Sequence, residues 1–187
     1  YEILTGKPPY TGSFIQVIVN ASLGRCPALD ISLPEELRQA CLKALSLDPK
    51  ARHQTVLDFQ QELRDYLWHR ESLKISDEAR EHLVLGLEKR SASLNSTERK
   101  RLYSKFAEAI SGFEHARRLW SANQAAVTGE KEARLAYAKV ALAHADLVLA
   151  EVQASLLEET HAADTEVQAL KQSIQAARSS QEADRRS

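Results

Sequence analysis

The residues able to do chemistry are scattered along this 187-residue chain, and few of them share a meaningful spacing. Six histidines are spread out, and none stands with a cysteine or carboxylate at the usual metal-ligand spacing. His115 and His144 read as helix-surface or inter-helix residues. Serines are plentiful, yet none lies in Gly-x-Ser-x-Gly, and no Gly-x-x-x-x-Gly-Lys is present to cradle phosphates. The many acids fall on predicted solvent faces, a poor setting for paired acid–base work. No catalytic, cofactor-binding or metal-ligating residue is expected. The exception to this scatter is Asp48-Pro49-x-x-Arg52, where a proline and an arginine follow an apolar run at a fixed distance.

The elements around that motif are legible. Leu37, Cys41, Leu42 and Leu45 recur at helical spacing and predict one buried face over 37–45. Pro49 disfavours the α region at Asp48, so the helix is expected to end there. Ser32 and Glu35 have capping-box spacing with Pro34 in the first turn, which predicts the start of the same helix. Thr55 and Asp58 can cap the next one, whose buried face would carry Val56, Phe59, Leu63, Tyr66 and Leu67. Upstream, Tyr1 to Tyr10 reads as the end of a helix closed by Gly6, with prolines beyond. Phe14, Val17, Ile18 and Ala21 form a helical stripe within 14–23, and 24–33 reads as a loop.

Three of these segments resemble, in order and spacing, the end of a bacterial serine/threonine protein kinase domain of the eukaryotic-like type. Tyr1-Glu-Ile-Leu-Thr-Gly6-Lys-Pro-Pro9-Tyr10 resembles the close of the long buried helix of the C-terminal lobe. There Pro9 and Tyr10 occupy the family's Pro-Phe positions. Leu-x-x-Asp48-Pro49-x-x-Arg52 and the helix after it resemble the last elements of that fold, with His53 departing from the aromatic residue often found in bacterial relatives. The resemblance covers residues 1–67. It implies that Arg52 is a structural arginine whose glutamate partner lies upstream, and that Arg52 here turns to solvent or borrows an acid such as Glu2 or Asp58. It also implies ATP-dependent phosphoryl transfer with magnesium by a larger parent protein. The Gly-rich loop, the lysine, the catalytic Asp and the Asp-Phe-Gly that such chemistry needs are not in this sequence. These residues alone are expected to be inactive, and the lack of any methionine suits an internal fragment. His69-Arg-Glu-Ser-Leu-Lys74 echoes a kinase catalytic loop only by coincidence.

Residues 68–77 read as a connector, with Trp68 packing at the seam. Asp77 and Glu78 open a helix to about Lys89 with Leu83 and Leu87 on one face, Ser91 to Ser96 reads as a turn, and Asn95 with Glu98 caps a longer helix. That helix carries Leu102, Phe106, Ile110, Phe113, Arg117 and Trp120 on one stripe. A further helical stretch, 133–157, should break near Ala145-Asp146, with Leu135, Ala138 and Leu142 before the break and Leu149, Val152 and Leu156 after it. Ala109-x-x-x-Phe113-x-x-Ala116 resembles the second helix of a tetratricopeptide repeat, and Ala150 begins a similar one, although Ser121 stands in place of the usual proline. Val167, Leu170, Ile174 and Ala177 have coiled-coil spacing, and 179–187 is polar without periodicity.

The expected fold is therefore all-α, in four parts. Residues 1–67 are the end of a kinase lobe, 68–77 a connector, 78–160 tetratricopeptide-like hairpins, and 161–187 a coiled-coil-like or disordered tail. A net charge of −1 excludes an electrostatic footprint for nucleic acid. The most apolar run, 140–150, is too short to span a membrane and carries His144 and Asp146. Two cysteines, Cys26 and Cys41, in apolar contexts suit a reduced cytoplasmic setting better than a disulfide scaffold. Protein partners are expected on the helical region. A non-catalytic helical scaffold, or an interaction module attached to a pseudokinase, is the alternative function.

Overall fold

The computed structural model describes residues 1–89 and 94–184. Every regular element among them is helical, and the chain divides into two units, Tyr1–Trp68 and His69–Ser187.

In the first unit, α1 (Glu2–Thr5) closes on Gly6, whose left-handed conformation (φ 72°) lets its N–H reach the Glu2 carbonyl at 2.8 Å. α2 (Phe14–Ser22) opens with a capping box between Ser13 and Gln16. Its expected stripe is not buried, for Phe14 and Ile18 are exposed and Val17 only half-buried. α3 (Glu35–Ala44) starts as expected, but Pro34 is its N-cap and no side chain caps it. Ser32 lies two residues before that N-cap, outside the capping position, and its N–H donates to Asp30 Oδ1 at 2.8 Å. The helix also stops at Ala44, ahead of the proline. Asp48 is extended (φ −75°, ψ 118°), as a pre-proline residue should be, and its side chain accepts the Lys50 N–H to start a 3-10 turn over Pro49–Ala51. Ala40 and Cys41 form the buried part of α3, while Leu42 faces outward.

α4 (Val56–Glu88) begins in the first unit and ends in the second. Thr55 and Asp58 form the expected reciprocal cap, at 2.9 and 3.1 Å. Phe59, Leu63 and Tyr66 are half-buried, but Val56 and Leu67 are exposed. The expected connector 68–77 is helical throughout. It contains neither glycine nor proline, so nothing in it interrupts the backbone ladder. Trp68, expected to pack at a seam, is nearly half exposed.

The second unit continues from the end of α4 into α5 (Ser96–Leu119), α6 (Gln124–Ala143), α7 (Leu147–His161) and α8 (Thr165–Asp184). Residues 91–93 of the expected turn lie outside the described residues, and α5 opens on the predicted Asn95–Glu98 capping box. One core joins Ala79 and Leu83 of α4 to Leu102, Phe106, Ile110 and Phe113 of α5 and to Ala133 and Tyr137 of α6. A second core joins Ala138 and Ala141 of α6 to Ala150, Ala154 and Leu157 of α7 and to Val167, Leu170 and Ile174 of α8. Leu149 packs on both. Small residues set the spacing: a Cβ on Gly129 would lie 2.4 Å from the Phe113 ring, and one on Gly112 would lie 2.7 Å from Ala79 Cβ.

Three expectations need correction here. α6 begins at Gln124 rather than near Ala133, because Asn123 caps it and Gly129 is the hollow that admits Phe113. The break at His144–Asp146 is where it was expected, but the buried face of α7 carries Ala150, Gln153, Ala154 and Leu157 while Val152 and Leu156 are exposed. The alanines win because helices approach more closely over them. Finally, the stripe on α8 is no free seam. Val167, Leu170 and Ile174 are consumed by the second core, and the helix persists to Asp184 through residues that showed no periodicity. No helix among the described residues is long and apolar enough to cross a membrane.

Candidate functional site

Arg52 sits at the end of the 3-10 turn, exposed, and reaches back across the end of α3. Its Nε donates to the Ser46 carbonyl at 2.7 Å, and Nη2 lies 3.4 Å from the Leu47 carbonyl. These carbonyls follow the last turn of α3, where a helix leaves acceptors without partners and where a cation is favoured. Arg52 pairs with neither Glu2 nor Asp58, and Asp58 is committed to its Thr55 cap. Asp48 holds the turn, Pro49 starts it, and Arg52 ties it to α3. Of the remaining motif positions, Gly6 is exposed and closes α1, while Pro9 and Tyr10 are half-buried.

His53, the next residue, turns inward. Its side chain is 5% exposed, with Nε2 2.9 Å from Glu62 Oε2 and the ring edge-on to Phe59 at 5.1 Å. Glu62 also pairs with Lys43. The Lys43 ammonium first, and then the His53 ring, hold the Glu62 carboxyl below the usual carboxylate range. A carboxylate orienting an imidazole is one part of an acid–base device, but this ring is closed off from a dissolved substrate. Its chemistry is packing and pairing.

Beside this polar group lies an apolar cleft of about 350 Å³, lined among others by Leu4, Leu37, Cys41, Leu45, Phe59 and Leu63. It joins the three sequence segments singled out above: the end of α1, the apolar face of α3, and the start of α4.

The second unit holds its polar side chains differently. Ser72 and Ser76 of α4 are buried, as is Asn123 at the start of α6. Asn123 Nδ2 donates to Ser72 Oγ at 2.8 Å and to Ser76 Oγ at 2.9 Å, while its Oδ1 accepts the Ala126 N–H at 3.1 Å. Ser72 Oγ in turn donates to the Ala116 carbonyl at 2.7 Å, near the end of α5. One asparagine thus ties three helices together with every bond made. Arg134 is the charged counterpart: it pairs with Glu130 at 2.9 Å and with Glu114, and it donates to Gln153 Oε1 at 3.1 Å. Burial pushes the phenols of Tyr103 and Tyr137 up.

Sequence reasoning missed the Asn123–Ser72–Ser76 group and the Arg134 cluster. The serines looked like connector residues, and only their four-residue spacing placed them on one helical face. Among the described residues, no three His, Cys, Asp or Glu side chains are grouped to hold a metal ion. No protein-family model matches this chain, and neither a curated protein nor a solved structure matches it significantly.

Proposed function

We propose that residues 1–67 are the base of the C-terminal lobe of a serine/threonine protein kinase, joined to a helical region, 78–160, of tetratricopeptide-like type that meets protein partners. The parent protein would transfer phosphate from ATP, with magnesium, and these residues would supply support and interaction rather than chemistry. The observation that carries the reading is the apolar cleft of the first unit. It is lined by all three segments that resemble the kinase end, in a unit that buries only Leu29, Ala40 and Cys41 among its hydrophobic residues. A lobe base packed against the rest of a catalytic domain would have such a face. Buried Ala109, Phe113 and Ala116, and a three-residue turn between α6 and α7, favour the tetratricopeptide-like reading of the helical region.

The test is calorimetric titration of the 187-residue chain with ATP and magnesium. No heat of binding is expected, and magnesium-dependent nucleotide binding would overturn the assignment of roles. Hydrogen exchange supplies the second arm, with little protection expected at Ile3–Leu4 and 37–45 and strong protection across α5 and α6. Strong protection in the first unit would favour a self-contained, non-catalytic helical scaffold instead.

A further inference from the structure

We infer that α8 is an exchangeable element: in a two-fold dimer it leaves the groove between α6 and α7 of its own chain and fills the same groove of a second copy. The exchange lies wholly within the second unit and is independent of the kinase reading of the first.

What α8 buries is confined to a short stretch. Val167, Leu170 and Ile174 are at most 4% exposed and pack on Ala138 and Ala141 of α6 and on Ala150, Ala154 and Leu157 of α7. Ion pairs flank that stretch. Lys139 of α6 meets Glu166 at 3.4 Å, and on α7 Glu158 meets Lys171 at 2.5 Å and Glu151 meets Arg178 at 2.9 Å. The two α7 pairs step in opposite directions along the sequence, so α8 runs antiparallel to α7. None of these contacts depends on which chain supplies α8.

The connection is what permits exchange. α7 ends at His161 and α8 begins at Thr165, with only Ala162, Ala163 and Asp164 between. Ala162 is already right-handed helical (φ −55°, ψ −34°), both alanines are exposed, and no glycine or proline occurs between Leu147 and Asp184. The turn between α6 and α7 differs, because Ala145 holds a left-handed conformation that no helix continues. Alanine is the best helix former, so only the turn at Ala163–Asp164 separates α7 and α8 from one continuous helix. The bonds that close this turn are local. Asp164 accepts the Glu166 N–H at 2.9 Å and pairs with Lys131, and Gln168 Nε2 donates to the Ala162 carbonyl at 2.6 Å.

Straightening gives up those bonds and gains an unbroken backbone ladder through the joint. It also strips α8 from its groove and exposes apolar surface that must be covered again. Two straightened helices laid antiparallel put α8 of each copy on α7 of the other, about a two-fold axis at the joint, and restore the apolar contacts and the flanking ion pairs. The closed and exchanged forms thus share a core and differ at the joint, so protein concentration and the joint sequence set their ratio.

The experiment is size-exclusion chromatography with light scattering on the full chain over a concentration series. A dimer fraction that rises with concentration is expected. Asp164→Ala removes the cap and the Lys131 pair that close the turn, and should raise the dimer association constant about tenfold or more. Ala163→Gly, at an exposed position in each of the two joints, disfavours the straight helix and should lower it about tenfold. Phe14→Ser, on the exposed face of α2, should change nothing. A chain that stays monomeric at every concentration even with Asp164→Ala overturns the exchange. So does a dimer that the two joint variants fail to move in opposite directions, or one that Phe14→Ser abolishes, since the copies then meet through surfaces other than α8.

Discussion

Residues 1–68 and residues 69–184 are both helical and both rich in leucine, isoleucine and valine, yet they bury these side chains very unequally. Among the described residues, three of the twenty-four buried hydrophobic residues belong to the first unit, and thirteen of the nineteen large exposed ones do. The second unit closes two cores around α6 with glycine and alanine at the contacts. The first unit instead leaves a cleft and the apolar face of α2 open, with Phe14 80% exposed. A short chain with little buried area sits near the limit of independent stability. The difference teaches that helix content and self-sufficiency are separate properties: the first unit forms its helices, with side-chain caps at α2 and α4, yet it does not bury their apolar faces as the second unit does.

The largest test of that contrast is a pair of truncations. Phe113→Ala, at a side chain with no exposed surface, should cost the second unit about 3–5 kcal/mol. Phe59→Ala, half-buried in the first unit, should cost about 1 kcal/mol or less. The two tryptophans make the units separately readable in urea, with Trp68 at the end of the first unit and Trp120 stacked on His69 at 4.4 Å in the second. Single-tryptophan backgrounds, Trp120→Phe and Trp68→Phe, isolate each signal. Similar losses for the two truncations would erase the contrast.

Next in size is Asn123→Ala, which removes a helix cap and leaves Ser72 and Ser76 short of a donor inside the protein. A loss of about 2–3 kcal/mol is expected on the Trp120 signal. Asn123→Ser keeps a cap and should recover part of that loss. If Asn123→Ala proved neutral, water would have to reach these hydroxyls, and the second unit would be less tightly closed than its geometry indicates.

How much of this was legible in the sequence follows the same division. Local signals were read well: the Asn95–Glu98 and Thr55–Asp58 caps, Gly6 as a stop, the break before Asp146, and the stripe from Leu102 to Phe113. Each depends on residues within a turn or two of one another. What failed depended on partners. Val152 and Leu156 looked like the buried face of α7, but burial is decided by which face lets a neighbouring helix approach, and Ala150 and Ala154 do. The connector is a different case: a new helix was expected to open at Asp77 and Glu78, although nothing in 68–77 stops the one that begins at Val56. Arg52 was expected to turn to solvent or to borrow Glu2 or Asp58; it is exposed, and its bonds to the Ser46 and Leu47 carbonyls were not foreseen because they depend on where α3 ends, which the proline alone put too late.

Acid titration separates packing from pairing. In the first unit the folded Glu62 carboxyl titrates below its ordinary value, held there by Lys43 and then His53. The unfolded chain therefore takes up its proton first as the pH falls. The stability from this pairing is complete above the ordinary glutamate pKa of about 4.3 and is lost as the pH drops through the lower folded value. With the Glu62 side chain over a third exposed, the effect should stay below about 1 kcal/mol. In the second unit Asp164 is depressed in the same direction, by its bond to Lys131. Carboxylates held low by a lysine thus occur in both units, with Glu108 beside Lys105 a further case in the second. Glu62→Gln should flatten the acid limb read by Trp68 and leave the Trp120 limb unchanged. An unaltered Trp68 limb would show that the pairing does not persist in solution.

The smallest effect addresses the contrast at the level of single turns. Gly6 in the first unit and Ala145 in the second both adopt the left-handed conformation, with φ of 72° and 58°. For alanine that conformation costs roughly 1–2 kcal/mol, and for glycine almost nothing. Ala145 nevertheless holds it because its neighbours close the end of α6, with its own N–H on the Leu142 carbonyl at 3.0 Å and the Asp146 N–H on the Ala141 carbonyl at 2.9 Å. Its methyl group is exposed and contributes no packing. Ala145→Gly should therefore relieve the strain, while the extra freedom of glycine in the unfolded chain takes back about 0.4–1 kcal/mol. A net gain of about 0.5 kcal/mol on the Trp120 signal is expected. Gly6→Ala meets no neighbour within 4 Å, so it should lose only the conformational term, about 1 kcal/mol. In a unit with so little buried area that loss should be enough to fray α1, whereas the two cores of the second unit already tolerate the same strain at Ala145. If Ala145→Gly were destabilising, the turn would be held by the rigidity of its alanine, and the tolerance would lie in the turn rather than in the cores beside it.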